Sequence, residues 1–249
     1  MIIRANVSIV IVLAALAGSM GAAAQVFADI EAGAAFPGYN AVRIPSETGT
    51  LFSLAEETPS GAVPVMRIRA GYTVGGRHSF SVLAAPLLVR GSGRLDENVD
   101  FGGTGFSAGS EIETLYRFDS YRISWQWLFY NNGGLSIGAG LTGKLRSADI
   151  SVMGDEGFAR RSDLGVVPLI NFRMQWKLMS AYSFLLDGDA LWSPYGRAED
   201  VLVAFQYHKD DDTDFRIGYR ILEGGSDGGG NVYTFALFHY VTAGMRMRL

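Results

Sequence analysis

Two carboxylates in this chain stand one glycine apart, in Asp187-Gly188-Asp189. In extended backbone that spacing sets both on one face, as acid–base work requires. The three histidines are His78, His208 and His239, and none neighbours the pair in sequence. Asp187 and Asp189 are therefore better read as partners for inward basic residues than as a catalytic dyad. A second acidic set, Glu199, Asp200, Glu223 and Asp227, flanks two glycine-containing loops and offers oxygens to a hard cation such as Ca²⁺. The simpler reading is that glycine supplies turn geometry there and the acids keep the loops solvated. These glycines form no phosphate cradle, since no helix follows to receive an anion. With no cysteine, neither thiol chemistry nor a disulfide is available. No cofactor is expected.

The elements that would position these groups are clearest at the C-terminus. From Val232 to Leu249 the odd positions read Tyr233, Phe235, Leu237, Val241, Ala243, Met245, Met247 and Leu249, with His239 the exception. The even positions include Thr234, Thr242, Gly244, Arg246 and Arg248. A period of two is that of a strand with two different faces. Thr242, Gly244, Met247 and Leu249 carry the spacing of the C-terminal insertion signal of bacterial outer-membrane barrels, which this segment resembles. That family usually ends on Phe, and this chain ends on Leu249. At the other end, Arg4, an apolar run from Val7 to Leu16, and Gly21-Ala22-Ala23-Ala24 form a secretory signal peptide. The run is short for a helical span of roughly 20 residues, so cleavage after Ala24 is expected, leaving residues 25–249 as the barrel.

Composition agrees. Hydrophobic residues are 48% of the chain and charged ones 18%, yet charges or glycines interrupt every stretch that would span as a helix. A transmembrane barrel resolves this, because each strand needs only half its residues apolar. The net charge of −4, or −5 once Arg4 leaves with the signal, gives no reason to expect nucleic acid.

The fold class is therefore all-β: a transmembrane, antiparallel, up-and-down barrel of about ten strands, with eight to twelve compatible with the pattern. The segments run Phe27 to Phe36, Val63 to Val74, Arg77 to Val89, Ile112 to Tyr130, Leu135 to Val152, Leu164 to Lys177, Ala181 to Trp192, Ala198 to His208, Thr213 to Leu222 and the C-terminal strand. A loop with Pro37, Pro45 and Pro59 follows the first, and Gly91 to Ser110 holds a small hairpin outside the membrane. In the fourth segment the apolar phase passes from even (Tyr116, Phe118) to odd (Ile123, Trp125, Trp127, Phe129), which predicts a bulge near Asp119-Ser120. With both termini in the periplasm, turns near Gly75, Asn131, Met179 and Asp211 fall on that side, and the long loops fall outside.

The faces opposite the apolar stripes collect a mixed charge set. The basic members are Arg67, Arg69, Lys144, Arg146, Arg173, Arg216, Arg220, Arg246 and Arg248; the acidic ones are Asp29, Glu31, Glu113, Asp187, Asp189 and Asp200. A barrel of this size is too narrow for a wide channel, which takes roughly 16 strands. A salt-bridged plug is expected, with a narrow anion-favouring pore as the alternative because bases outnumber acids.

An enzyme is the third reading. The strand number resembles that of omptin-type proteases, but those need a His and several Asp at the extracellular rim, where no His is predicted here. His78-Ser79 resembles the His and Ser of lipid A deacylases, but adjacent strand residues point to opposite faces. Ser193 to Asp200, Glu223 to Asn231 and Gly218-Tyr219-Arg220 together resemble a mostly uncharacterised family of outer-membrane barrels, which implies location but no activity or site. The expected protein is a non-enzymatic barrel with a structural or loop-mediated binding role. Its expected partners are outer-membrane lipid and lipopolysaccharide, and the barrel-assembly machinery through the last strand.

Overall fold

The computed structural model describes residues 24–194, 196–227 and 231–249. The predicted signal segment apart from Ala24 lies outside the described residues, as do Tyr195 and residues 228–230 of the two glycine loops. The staves are β1 (Ala24–Arg43), β3 (Val63–Val74), β4 (His78–Ala85) continued by β5 (Leu88–Arg94), β8 (Glu111–Asn131), β9 (Leu135–Gly154), β10 (Gly157–Met179), β11 (Tyr182–Ser193), β12 (Gly196–His208), β13 (Thr213–Asp227) and β14 (Tyr233–Arg248). Counting β4 and β5 as one stave gives ten among the described residues. Each pairs antiparallel with its neighbours, and β14 pairs with β1 from Phe27↔Arg248 to Arg43↔Tyr233. Closure removes the sheet edges that would otherwise template aggregation. The short β2 (Phe52–Ser53) and α1 (Leu54–Glu57) lie in the first outer loop. The hairpin of β6 (Val99–Phe101) and β7 (Thr104–Phe106) stands where the sequence predicts one.

Periodicity explains the staves and glycine explains one tight turn. Gly75 and Gly76 have φ of 58° and 66°, the left-handed pair at the centre of the tight turn between β3 and β4 that Arg77 N closes on Val74 O. Outward positions form an apolar belt: Ile123 is 72% exposed, Leu141 62%, Phe205 63% and Ile217 63%. A soluble surface rarely carries so continuous a patch, so this face meets lipid. Trp125, Trp127 and Trp176 all lie on it near the periplasmic turns, where aromatic residues mark a membrane interface. Brominated lipids should quench these tryptophans strongly and aqueous acrylamide only weakly. Acrylamide quenching equal to that of free tryptophan would reverse the faces.

Four sequence expectations are corrected. β1 runs to Arg43 with Pro37 inside it, because a register shift between Pro37 and Tyr39 accommodates the proline. The stave predicted over Arg77 to Val89 is broken in two at Pro86-Leu87 and extends to Arg94. β8 has no bulge at Asp119-Ser120: its register against β9 is unbroken from Ile112 to Leu128, with the shift between Leu128 and Tyr130. Even positions of β8 therefore face inward as far as Leu128, and Tyr116 packs with Phe238 and stacks on Phe118 inside the barrel. Glu113, on the odd phase of the same strand, is exposed on the outer surface and is no lumen residue.

The inward face of Tyr116 belongs to an apolar core at the extracellular end. Ile44, Phe52 and Leu54 from the first outer loop pack there with Val99, Phe101 and Phe106 of the small hairpin and Tyr116, Ile150 and Phe238 of the staves. The hairpin is tied to the β9–β10 tip by Glu156, which accepts from the Ser110 hydroxyl and the Ser107 amide. These hydrogen bonds hold the exposed Glu156 carboxyl below its usual range.

Candidate functional site

The bore is crossed by a layer of ion pairs built from seven staves. Arg122, one residue beyond outward Tyr121, donates to Asp189 at 2.5 Å and to Asp200, while its Nε donates to Ser120 at 3.0 Å. Asp200 also accepts from Arg67 at 2.9 Å and Arg220 at 2.5 Å. Arg220 reaches Glu31 at 2.8 Å, and Glu31 also accepts from Arg216 at 2.9 Å. Asp29 takes a two-pronged contact from Arg216 at 2.7 and 2.9 Å. Asp187 accepts from Arg173 at 2.8 Å and lies 3.8 Å from Arg69. Thr142 donates to the free oxygen of Asp189 at 2.6 Å. The side chains of Arg122, Asp200 and Glu31 are at most 2% exposed.

Burial of this kind holds only because every carboxylate has several donors; an unpaired one would be very costly. Small residues make room: a Cβ on Gly244 would stand 2.7 Å from the Arg216 guanidinium carbon. Gly244 of the predicted insertion signal thus also belongs to the interior packing, and Thr242 is buried beside it. Met247 takes the outward phase, pairing with Thr213 and Ala28, and Leu249 is exposed.

Of the predicted lumen residues, Asp29, Glu31, Arg67, Arg69, Arg173, Asp187, Asp189, Asp200, Arg216 and Arg220 come together in this layer. Arg246 and Arg248 line the polar cavity of about 230 Å³ on its periplasmic side. Arg246 lies 3.9 Å over the Phe27 ring, and Arg248 pairs with Asp214 at 2.8 Å. Lys144 and Arg146 lie on the other side, in an extracellular cavity of about 560 Å³. Arg122 was missing from the sequence reading, although its even position between Tyr121 and Ile123 marks it as inward.

The loop acids do not converge on a cation. Asp200 is deep in the ion-pair layer, and Glu223 is held by Arg197 and the Tyr39 hydroxyl. Glu199 lies opposite Glu223 in register, and Asp227 ends β13. No group of three His or acidic residues able to hold a metal occurs among the described residues.

The histidines separate. His78 stacks between Trp125 and Trp127 on the outer surface. His239, also outward, bonds the Tyr219 hydroxyl. His208 points inward at the periplasmic mouth, with Ser183 Oγ 2.6 Å from Nε2 and Asp214 2.6 Å from Nδ1. Sequence reasoning missed this trio, though all three residues sit on inward phases of adjacent staves. Its connectivity matches that of a nucleophilic serine triad. Ser183, however, has no exposed surface, and the Gln175 amide lies 3.5 Å from its Oγ, while Gln175, His208 and Asp214 line a cavity at that mouth.

No family model matches the chain, and no curated protein does. Among solved structures the fold is similar to the outer membrane protease OmpT from Escherichia coli, with a TM-score of 0.57, 11% identity, and coverage of 90% of this chain and 97% of that one. The transport unit of the autotransporter AIDA-I from Escherichia coli follows at a TM-score of 0.43, with 8% identity and coverage of 92% and 91%. Identity this low establishes fold and nothing finer. The closed antiparallel barrel, the lipid-facing belt and the likeness in fold to OmpT make the chain a bacterial outer-membrane β-barrel.

Proposed function

We propose that this protein is a non-enzymatic, non-conducting outer-membrane barrel that works as a binding protein at the cell surface. The observation that carries the reading is the ion-pair layer of Arg67, Arg122 and Arg220 with Glu31, Asp189 and Asp200, which separates the extracellular from the periplasmic cavity. Ten strands enclose too little space for a wide channel, and here that space is taken by paired side chains. Such a layer contributes rigidity and register more than net stability. The outer half, packed by the first loop and the β6–β7 hairpin, is a rigid platform for contacts with lipopolysaccharide or other surface partners. The barrel-assembly machinery is the partner during insertion, through β14.

Purified protein in planar bilayers should give no resolved conductance steps. Steady, anion-selective steps would replace this reading with the narrow pore. A fluorophosphonate probe, which labels activated serines, should leave Ser183 unmodified. Labelling that disappears in Ser183→Ala would instead identify a hydrolase at the periplasmic mouth.

A further inference from the structure

The extracellular cavity contains a buried ammonium that forms no ion pair among the described residues. Lys144 is 3% exposed, yet no carboxylate or hydrogen-bond acceptor reaches its ammonium among the described residues. Its ammonium lies 4.7 Å from the centre of the Phe118 ring. In register it stands directly opposite Arg122, whose own charge is already engaged by Asp189 and Asp200. Two buried cations side by side, with the acids bonded to one of them, leave the second without a direct partner. Arg146 lies next along the inward face of β9, and its Nε is a buried donor with no partner. Arg161 completes the group nearer the mouth. The cavity lining holds four cations, Lys144, Arg146, Arg161 and Arg197, against two carboxylates, Asp163 and Glu223, which already pair with Arg146 and Arg197.

The walls around these cations are apolar, with Tyr116, Phe118 and Ile150 among them. The volume, about 560 Å³, is that of a small-molecule site. From this we infer that the cavity binds an amphipathic anion: a carboxylate, phosphate or sulfonate head beside Lys144 and Arg146, with a hydrocarbon or aromatic body against Tyr116, Phe118 and Ile150. The inference deepens the binding role proposed above and rests on it. A bound head group supplies the direct partner that Lys144 lacks, and the aromatic wall supplies contact area.

The test uses the full-length mature protein in nanodiscs of zwitterionic lipid, titrated calorimetrically with 4-butylbenzoate. Empty nanodiscs correct for partitioning. Saturable binding is expected, with the uncharged 4-butylbenzyl alcohol weaker by roughly tenfold or more, the worth of a charge-assisted contact. Lys144→Met, which removes a buried charge and should still fold, is expected to weaken the benzoate by a similar factor. Arg161→Gln should have a smaller effect in the same direction. Equal binding of the acid and the alcohol, or unchanged binding in Lys144→Met, would overturn the proposal. Competition by an anionic phospholipid added to the nanodisc would identify membrane lipid as the source of the anion, and its absence would point to a soluble amphiphile; either result keeps the site. Conductance reads the closed bore independently, so a failed titration beside a silent bilayer rejects the anion site alone.

Discussion

Replacing Arg122 by Leu should destabilise the barrel by about 3–5 kcal/mol, the usual cost of stranding buried charge. Arg122 engages both Asp189 and Asp200, and its side chain is 1% exposed, so no water replaces it. Asp200 would keep Arg67 and Arg220, whereas Asp189 would keep only the Thr142 hydroxyl. Arg173→Leu should cost less, because Asp187 retains Arg69 and the site is partly wet. The outward Phe172→Leu should cost least, since lipid still surrounds the smaller apolar group. Urea-dependent loss of heat-modifiable gel mobility ranks the three. Equal midpoints for wild type and Arg122→Leu would show that the layer is not an interdependent network.

Deleting Met247 to Leu249 should abolish assembly. Phe27 and Ala28 would lose their partners on β14, and Thr213 would lose Met247. Two backbone hydrogen bonds would go with them, Arg248 N to Asp212 O at 2.8 Å beside β13 and Leu249 N to Val26 O at 2.9 Å at the seam with β1, as would the Arg248–Asp214 pair. The truncated chain should be secreted, remain unfolded in the periplasm and be degraded, so the outer-membrane fraction should contain almost none. Leu249→Phe should be tolerated or assemble faster, since it restores the commoner terminal residue. Normal outer-membrane yield of the truncated chain would separate insertion from this signal.

The staves were legible because lipid on one face and a polar bore on the other impose a period of two, broken by turn residues such as Gly75-Gly76. The extracellular half was harder to read. Tyr116 and Phe118 are apolar and inward, and hydrophobic alternation alone cannot tell a lipid-facing residue from one packed under a loop. The apparent change of phase in β8 is therefore a change of environment along the axis, with the backbone register intact from Ile112 to Leu128. Inward charge was also legible, residue by residue, but its pairing was not. Glu31 meets Arg220 across a separation of 189 residues, a contact set by closure of the seam. The Ser183–His208–Asp214 trio was hidden for the same reason, since it exists only once three staves align.

The staves differ greatly in height. β10 has 23 residues and β11 has 12, and the two start from a shared periplasmic turn. At roughly 3.3 Å per residue and a tilt near 40°, β11 rises about 30 Å and β10 nearly 60 Å. The first figure equals the hydrocarbon thickness of a bilayer, roughly 30 Å, so the β11–β12 tip ends level with the lipid head groups while the β9–β10 wall stands well above them. The molecule is thus a cup with one side cut down to the membrane surface. The low side belongs to the wall of the extracellular cavity, which Leu191 and Ser193 of β11 and Gly196 and Arg197 of β12 line.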